Sequence, residues 1–206
     1  MKFEFDKITD RKNTNAVKYD LAKARGKPED ALSLWVADMD FPTAPCIQKA
    51  LSEKALHGIY GYSRPDERYY SAIKKWFRDR HDFTVESEWI LNTPGVVFAI
   101  ASAIKAFSKE GDAVLVQKPV YYPFFNTIKN LGRKVVNSPL VYSDGHYEIN
   151  FEDFEKKIVS EDVKIFILCS PHNPGGRVWK KEELKKISEI CLKHKVLVIS
   201  DEIHSD

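Results

Sequence analysis

The chain has 206 residues, 43% of them hydrophobic and 12% aromatic, enough apolar material to bury a substantial core and too much for a disordered tail. Its 32 Lys and Arg against 30 Asp and Glu leave a formal charge of +2 with the signs interspersed, so no basic stripe marks it for nucleic acid. Cys46, Cys169 and Cys191 have neither the paired short spacings of a zinc site nor the density of a secreted disulfide scaffold, and they are read as reduced and structural.

Residues 1–28 are charged and without clear period, which predicts an arm or extended lead-in with no apolar signal region. The longest apolar stretch, 96–104, is too short to span a bilayer, so a cytoplasmic protein with no membrane partner is the expectation. LWVADMDFP then places two aspartates inside an apolar stretch. TAPCIQKALSEKALHG has a helix start, apolar spacing at Ile47, Ala50, Leu51 and Ala55, and a terminating Gly58. A second helix is expected over 66–80, with Tyr70, Ile73, Trp76 and Phe77 on one face.

Beyond it the rhythm changes. Short β-branched runs at 89–91, 113–117, 134–136, 163–169 and 196–200 alternate with helical stretches such as 96–107 and 180–195. Such alternation predicts an α/β fold, a mainly parallel sheet covered by helices. The exception is YSDGHYEIN, where Asp144-Gly145 predicts a local hairpin. No repeat or low-complexity segment interrupts the order.

In open parallel sheets ligands sit outside the carboxyl ends of the strands, so the residues that follow each run are the candidates. After the first run comes NTPGVV, where Pro94-Gly95-Val96 opens a helix whose free amides and dipole favour a phosphate; an ordinary tight turn is the plainer alternative. After the second comes KPVYYPF, with Tyr121 and Tyr122 between prolines, suited either to a flat ligand or to the core. SPHNPGGR offers the amide of Asn173 or simple turn chemistry. Asp201 follows the apolar VLVIS, where a carboxylate is costly without a cation or hydrogen bonds; a protonated ring nitrogen or a structural Arg or Lys would each serve. His204 and Asp206 lie within reach of the same mouth.

Taken together, WVADMDF, GYSRPD, PGVV, KPVYYPF, HNPGGRVW and SDEIHSD resemble the fold-type-I pyridoxal-phosphate enzymes, in particular the cystathionine beta-lyase branch of the MalY/PatB kind, related to class I and II aminotransferases. The resemblance implies an aminotransferase-like large domain, incomplete in this chain, with 1–45 as N-terminal arm and part of the small domain and 46–206 as the N-terminal part of the cofactor-binding domain. It implies that Asp201 pairs with the pyridine nitrogen and that Asn173 donates to the ring's phenolic oxygen. Tyr121 would stack on the ring, Gly95, Val96 and Val97 would hold the phosphate, and Tyr62 would reach the phosphate of a second subunit in a homodimer. Lys118-Pro119 and Asn173-Pro174 are expected to be cis.

Two positions depart from the family: His204 stands where aminotransferases carry a tyrosine, as in the DEIHSD form of the lyase branch, and Gly175 replaces the usual Thr or Ser. The implied activity is carbon–sulfur beta-lysis of cystathionine or another cysteine conjugate, with aminotransfer as the alternative and a non-catalytic fragment or regulatory binding protein as the rival of another class. The family's Schiff-base lysine falls in a Ser-x-x-Lys motif beyond the position of Asp206, so these 206 residues alone are expected to be inactive. Ser71-Ala72-Ile73-Lys74 and Ser102-Ala103-Ile104-Lys105 have the letters of that motif but fall inside predicted helices upstream.

Overall fold

In a computed structural model that describes residues 4–28 and 30–205, the chain divides into two units, Met1–Asp66 and Glu67–Asp206. In the first, the expected extended arm is interrupted by a short helix, α1 (Val17–Asp20), and a 3-10 turn at Lys23–Arg25. The Asp20 carboxylate accepts from Asn13 N at 2.8 Å and Ala16 N at 3.1 Å, which curls the chain where the sequence shows no period. Helix α2 (Pro45–His57) follows with Pro45 at its first turn and Gly58, at φ +71°, ending it.

The two aspartates of LWVADMDFP are explained within this unit. Asp40 accepts from Arg11 Nη1 at 2.8 Å, Lys18 Nζ at 2.9 Å and the Tyr19 hydroxyl at 2.7 Å, while Asp38 pairs with Arg11 Nη2. The Tyr19 hydroxyl, Arg11 and Lys18 together hold the Asp40 carboxyl well below the usual carboxylate range. The Lys18 carbonyl in turn accepts from Ser33 Oγ at 2.9 Å and Trp35 Nε1 at 3.2 Å.

The second unit opens with α3 (Glu67–His81) and continues through a 3-10 turn at Ser87–Trp89. A strand at 89–91 does not form: Trp89 N and Ile90 N donate back to Glu86 O and Ser87 O, so the donors a ladder would need are used locally. Then come α4 (Val96–Phe107), β1 (Ala113–Val116), α5 (Pro123–Asn130), β2 (Lys134–Asn137), the hairpin β3 (Val141–Ser143) and β4 (His146–Glu148), α6 (Phe151–Ser160), β5 (Val163–Cys169), α7 (Lys181–Lys193) and β6 (Leu197–Asp201). The hairpin is the expected one, with Asp144 and Gly145 at φ +47° and +87°, the pairing a type I′ turn requires. Helices α5 and α6 go beyond the sequence expectations. The first starts on Pro123, and the second is capped by the Asn150 side chain, which accepts from Asp153 N at 3.0 Å.

The four-stranded sheet has the order β2-β1-β5-β6 and is parallel throughout. Its two faces carry separate cores. Leu115, Phe166 and Leu168 pack with Phe154 and Ile158 of α6 and Ile187 and Ile190 of α7, while Val114, Val116, Ile165 and Ile167 pack with Ile100 and Ile104 of α4 and Phe124 and Ile128 of α5. The chain leaves β1 in one direction with α5 on one face, and leaves β5 in the other direction with α7 on the opposite face, as right-handed crossovers require. The switch point between β1 and β5 is therefore where a crevice opens at the strands' carboxyl ends. Among the described residues, no helix is long and apolar enough to cross a membrane.

Candidate functional site

Three loops leave the carboxyl ends of neighbouring strands: Lys118 to Tyr122 after β1, Ser170 to Arg177 after β5, and Glu202 onward after β6. Tyr121 and Asn173 thus flank the switch point, and Asp201 ends the next strand, in register with Cys169. Because α4 runs into β1 through residues 108–112, its start lies at this same carboxyl end of the sheet. Alternation along β6 puts Asp201 on the side of Ile199, the face that α4 and α5 cover.

Asp201 is 6% exposed, and its Oδ1 accepts from Ile203 N at 3.2 Å. Among the described residues no Lys, Arg or His forms an ion pair with it, so a buried carboxylate stands without a protein cation. His204 is exposed, and Asp206 lies outside the described residues. Tyr121 leaves 37% of its surface open while its ring meets Phe124 edge-on at 5.7 Å, which fixes the ring and keeps one side accessible.

Asn173 is half-buried, and its backbone N–H donates to Cys169 Sγ at 3.4 Å, while the thiol donates to Pro171 O at 3.5 Å. Burial raises the Cys169 pKa, which keeps the thiol protonated for that donation. Lys118-Pro119 and Asn173-Pro174 are both cis, and Ser170-Pro171 is cis as well. Gly175, where the family carries Thr or Ser, is tightly flanked: a Cβ there would sit 3.0 Å from His172 Cδ2 and 3.1 Å from Tyr147 Cδ2, so these rings would have to give by a few tenths of an ångström.

At the start of α4, Gly95 has φ +119°, no side chain caps the first turn, and the space where a Cβ would project is open. The amides of Val96 and Val97 lead that turn, so an anionic group fits there. Thr93 Oγ1 donates to Gly95 O at 3.2 Å, and the Tyr69 hydroxyl donates to Asn92 Oδ1, tying α3 to the same loop. Tyr62 belongs to the first unit and is fully exposed. The arrangement suits a planar ring bearing a cationic nitrogen at one end and an anionic group at the other. Cys169, read from the sequence as a reduced structural cysteine, is free and buried; sequence reasoning assigns no role to His172 or Tyr69, and only the strand-end position of His172 hinted at it.

A doubly wound α/β domain with a parallel sheet covered on both faces has the aminotransferase-like fold. Residues 29–206 match the family model for aminotransferase class I and II, and the chain belongs to that family. It is similar to the cystathionine beta-lyase PatB of Bacillus subtilis, 47% identical over 98% of this chain and 52% of that protein. It also resembles the protein MalY of Escherichia coli, 35% identical over 99% of this chain and 53% of that protein. The crystal structure of cystalysin from Treponema denticola, which contains a pyridoxal 5'-phosphate cofactor, superposes with a TM-score of 0.91 at 41% identity, over 98% of this chain and 52% of that one. The chain spans about half the length of the relatives it matches.

Proposed function

We propose that at full natural length the protein is a pyridoxal-phosphate-dependent carbon–sulfur beta-lyase of the cystathionine beta-lyase kind. It takes an L-cysteine conjugate such as cystathionine and, with water, yields a thiol, pyruvate and ammonia. One observation carries the reading: Asp201, buried at the end of β6, has no cationic partner among the described residues, at the carboxyl end of the sheet where Tyr121 and Asn173 also lie. The similarity to PatB supports the lyase branch.

When bound, pyridoxal phosphate supplies an electron sink for negative charge developing at the substrate's α-carbon. The chain's own residues make that sink usable. The Asp201 carboxylate would accept the ring N–H, its negative charge favouring a proton on that nitrogen. The Asn173 amide would donate to the ring's phenolic oxygen, and Tyr121 would lie against the ring face and exclude water. The amides of Val96 and Val97, reached past Gly95, would take the phosphate charge at the positive end of α4.

His204 lines the same mouth. Tyr62 reaches the phosphate of a second copy, which makes the working form a homodimer, and the protein acts in the cytoplasm. In this reading residues 1–45 form the arm and part of a small domain, and 46–206 the N-terminal part of the cofactor-binding domain.

The family match also accommodates an aminotransferase, which would share the same pocket. Product analysis separates the two. Pyruvate and free thiol from cystathionine without any keto acid is the expected result; turnover that depends on an added keto acid overturns the lyase reading.

A further inference from the structure

The loop that carries Tyr121 and the loop that carries Asn173 belong to strands joined in the sheet, yet 53 residues separate the groups that link them beyond it. The link is His172. Its Nε2 lies 2.7 Å from Pro119 O, and because a carbonyl only accepts, that nitrogen carries the proton and donates. The ring is 3% exposed. Burial lowers its pKa, consistent with a neutral imidazole, and Nδ1 has no hydrogen-bond partner among the described residues.

The imidazole and the loop around it are held by further contacts. The Trp179 ring meets it edge-on at 5.4 Å, and Trp179 Nε1 donates to Cys169 O at 2.9 Å, anchoring the pair to the end of β5. The backbone around it closes a tight loop, with His172 N donating to Arg177 O and Gly176 N donating to His172 O, each at 2.7 Å. Gly175 passes so close that a Cβ there would press on the ring. Arg177 is itself held by Glu183 at 2.6 and 2.7 Å, and Glu183 also accepts from Lys180 N at the start of α7. The ring is thus the last member of a chain of contacts running from α7 to the loop after β1.

We propose that His172 is a positioning residue, a strut whose Nε2–H to the Pro119 carbonyl holds the Tyr121 and Asn173 loops at the separation a planar cofactor needs. The proposal rests on the cofactor reading above, but the strut itself exists without ligand. Its chemistry is specific: a side chain that places an N–H at the Nε2 position keeps the strut, and one that places it at the Nδ1 position does not. Glutamine does the first and asparagine the second.

The test uses the protein at full length as wild type, His172→Gln and His172→Asn, with thermal midpoints to confirm folding. Titration with pyridoxal phosphate should give affinities within about threefold for wild type and His172→Gln, and about tenfold weaker binding for His172→Asn, the worth of one lost hydrogen bond. Hydrogen exchange without cofactor should show faster exchange at 120–122 in His172→Asn alone. The wild-type imidazole Nε2–H should also appear by NMR as a slowly exchanging proton, a readout that needs no variant to fold. Equal affinities and equal exchange in all three proteins, or a rapidly exchanging Nε2–H, overturn the strut. A wild type that takes up no pyridoxal phosphate overturns the proposed cofactor instead, and in that case the exchange difference and the imidazole proton still support the strut or sink it.

Discussion

Asp40 and Asp201 are both aspartates at the end of an apolar run, one in each unit, and the fold treats them in opposite ways. Asp40 gathers three side-chain donors from Arg11, Lys18 and Tyr19, so its charge is satisfied inside the protein. Asp201 has one backbone amide and is more deeply buried. A carboxylate neutralised by its own chain does structural work; one kept in a dry place without a cation among the described residues is, in the proposed function, the partner of a cationic ligand. Substitutions at the two positions should therefore separate stability from function.

The largest effect is expected at Asp201. Asp201→Asn keeps the acceptor for Ile203 N but cannot hold a proton on a ring nitrogen by its charge. Lyase turnover of the full-length protein should fall on the order of 100-fold or more, the scale seen when one preorganised electrostatic contact is removed. The thermal midpoint should barely move, because among the described residues no cation pairs with Asp201 and would be left unpaired. A variant of normal activity, or one that melts far below the wild type, would break the contrast.

Gly95→Ala sharpens the other end of the site. Nothing would touch the new Cβ, so the cost is backbone strain alone at φ +119°. Strain of that kind is worth about 1–3 kcal/mol, which corresponds to roughly tenfold weaker binding of pyridoxal phosphate if the helix start shifts to relieve it. Unchanged affinity in a cofactor titration would remove α4 from the phosphate site.

How far the sequence reached follows the range of each interaction. β5 and β6 were legible because uninterrupted apolar runs need no partner to be recognised, and Tyr121, Asn173 and Asp201 stood out because each follows a strand. Residues 89–91 had the composition of a strand without a neighbour to pair with, and composition cannot report a neighbour. Asn150 with Phe151, Phe154 and Ile158 carried a readable helix signal for α6, whereas Pro123 disguised the start of α5 as a loop. His172 was invisible as a strut because its partner, a backbone carbonyl 53 positions upstream, has no letter of its own. The Asp38 and Asp40 pair has no explanation in its own segment, since each partner of these carboxylates, Arg11, Lys18 and Tyr19, lies more than 20 residues upstream in a stretch without period.

The smallest effect, and the one that tests the other half of the contrast, lies at Asp40. Its carboxyl is depressed in the folded chain relative to the ordinary value of 3.8, so its charged form stabilises the fold at any pH above that value. The sign follows directly: as pH falls through 3.8 toward the lower folded value, the unfolded chain takes up the proton first and the stabilisation drains away. Lys18, raised above its ordinary 10.5 by the same Asp40 contact, loses its contribution only as pH rises past that value. Asp40→Asn should therefore lower the thermal midpoint by a constant amount between about pH 5 and pH 10, and the gap from wild type should close on acidification. Lyase turnover per folded molecule should stay near that of the wild type, in contrast to Asp201→Asn. A gap that widens toward acid would mean that Asp40 is stabilised by its protonated form, and the network of Arg11, Lys18 and Tyr19 would then not be what neutralises it.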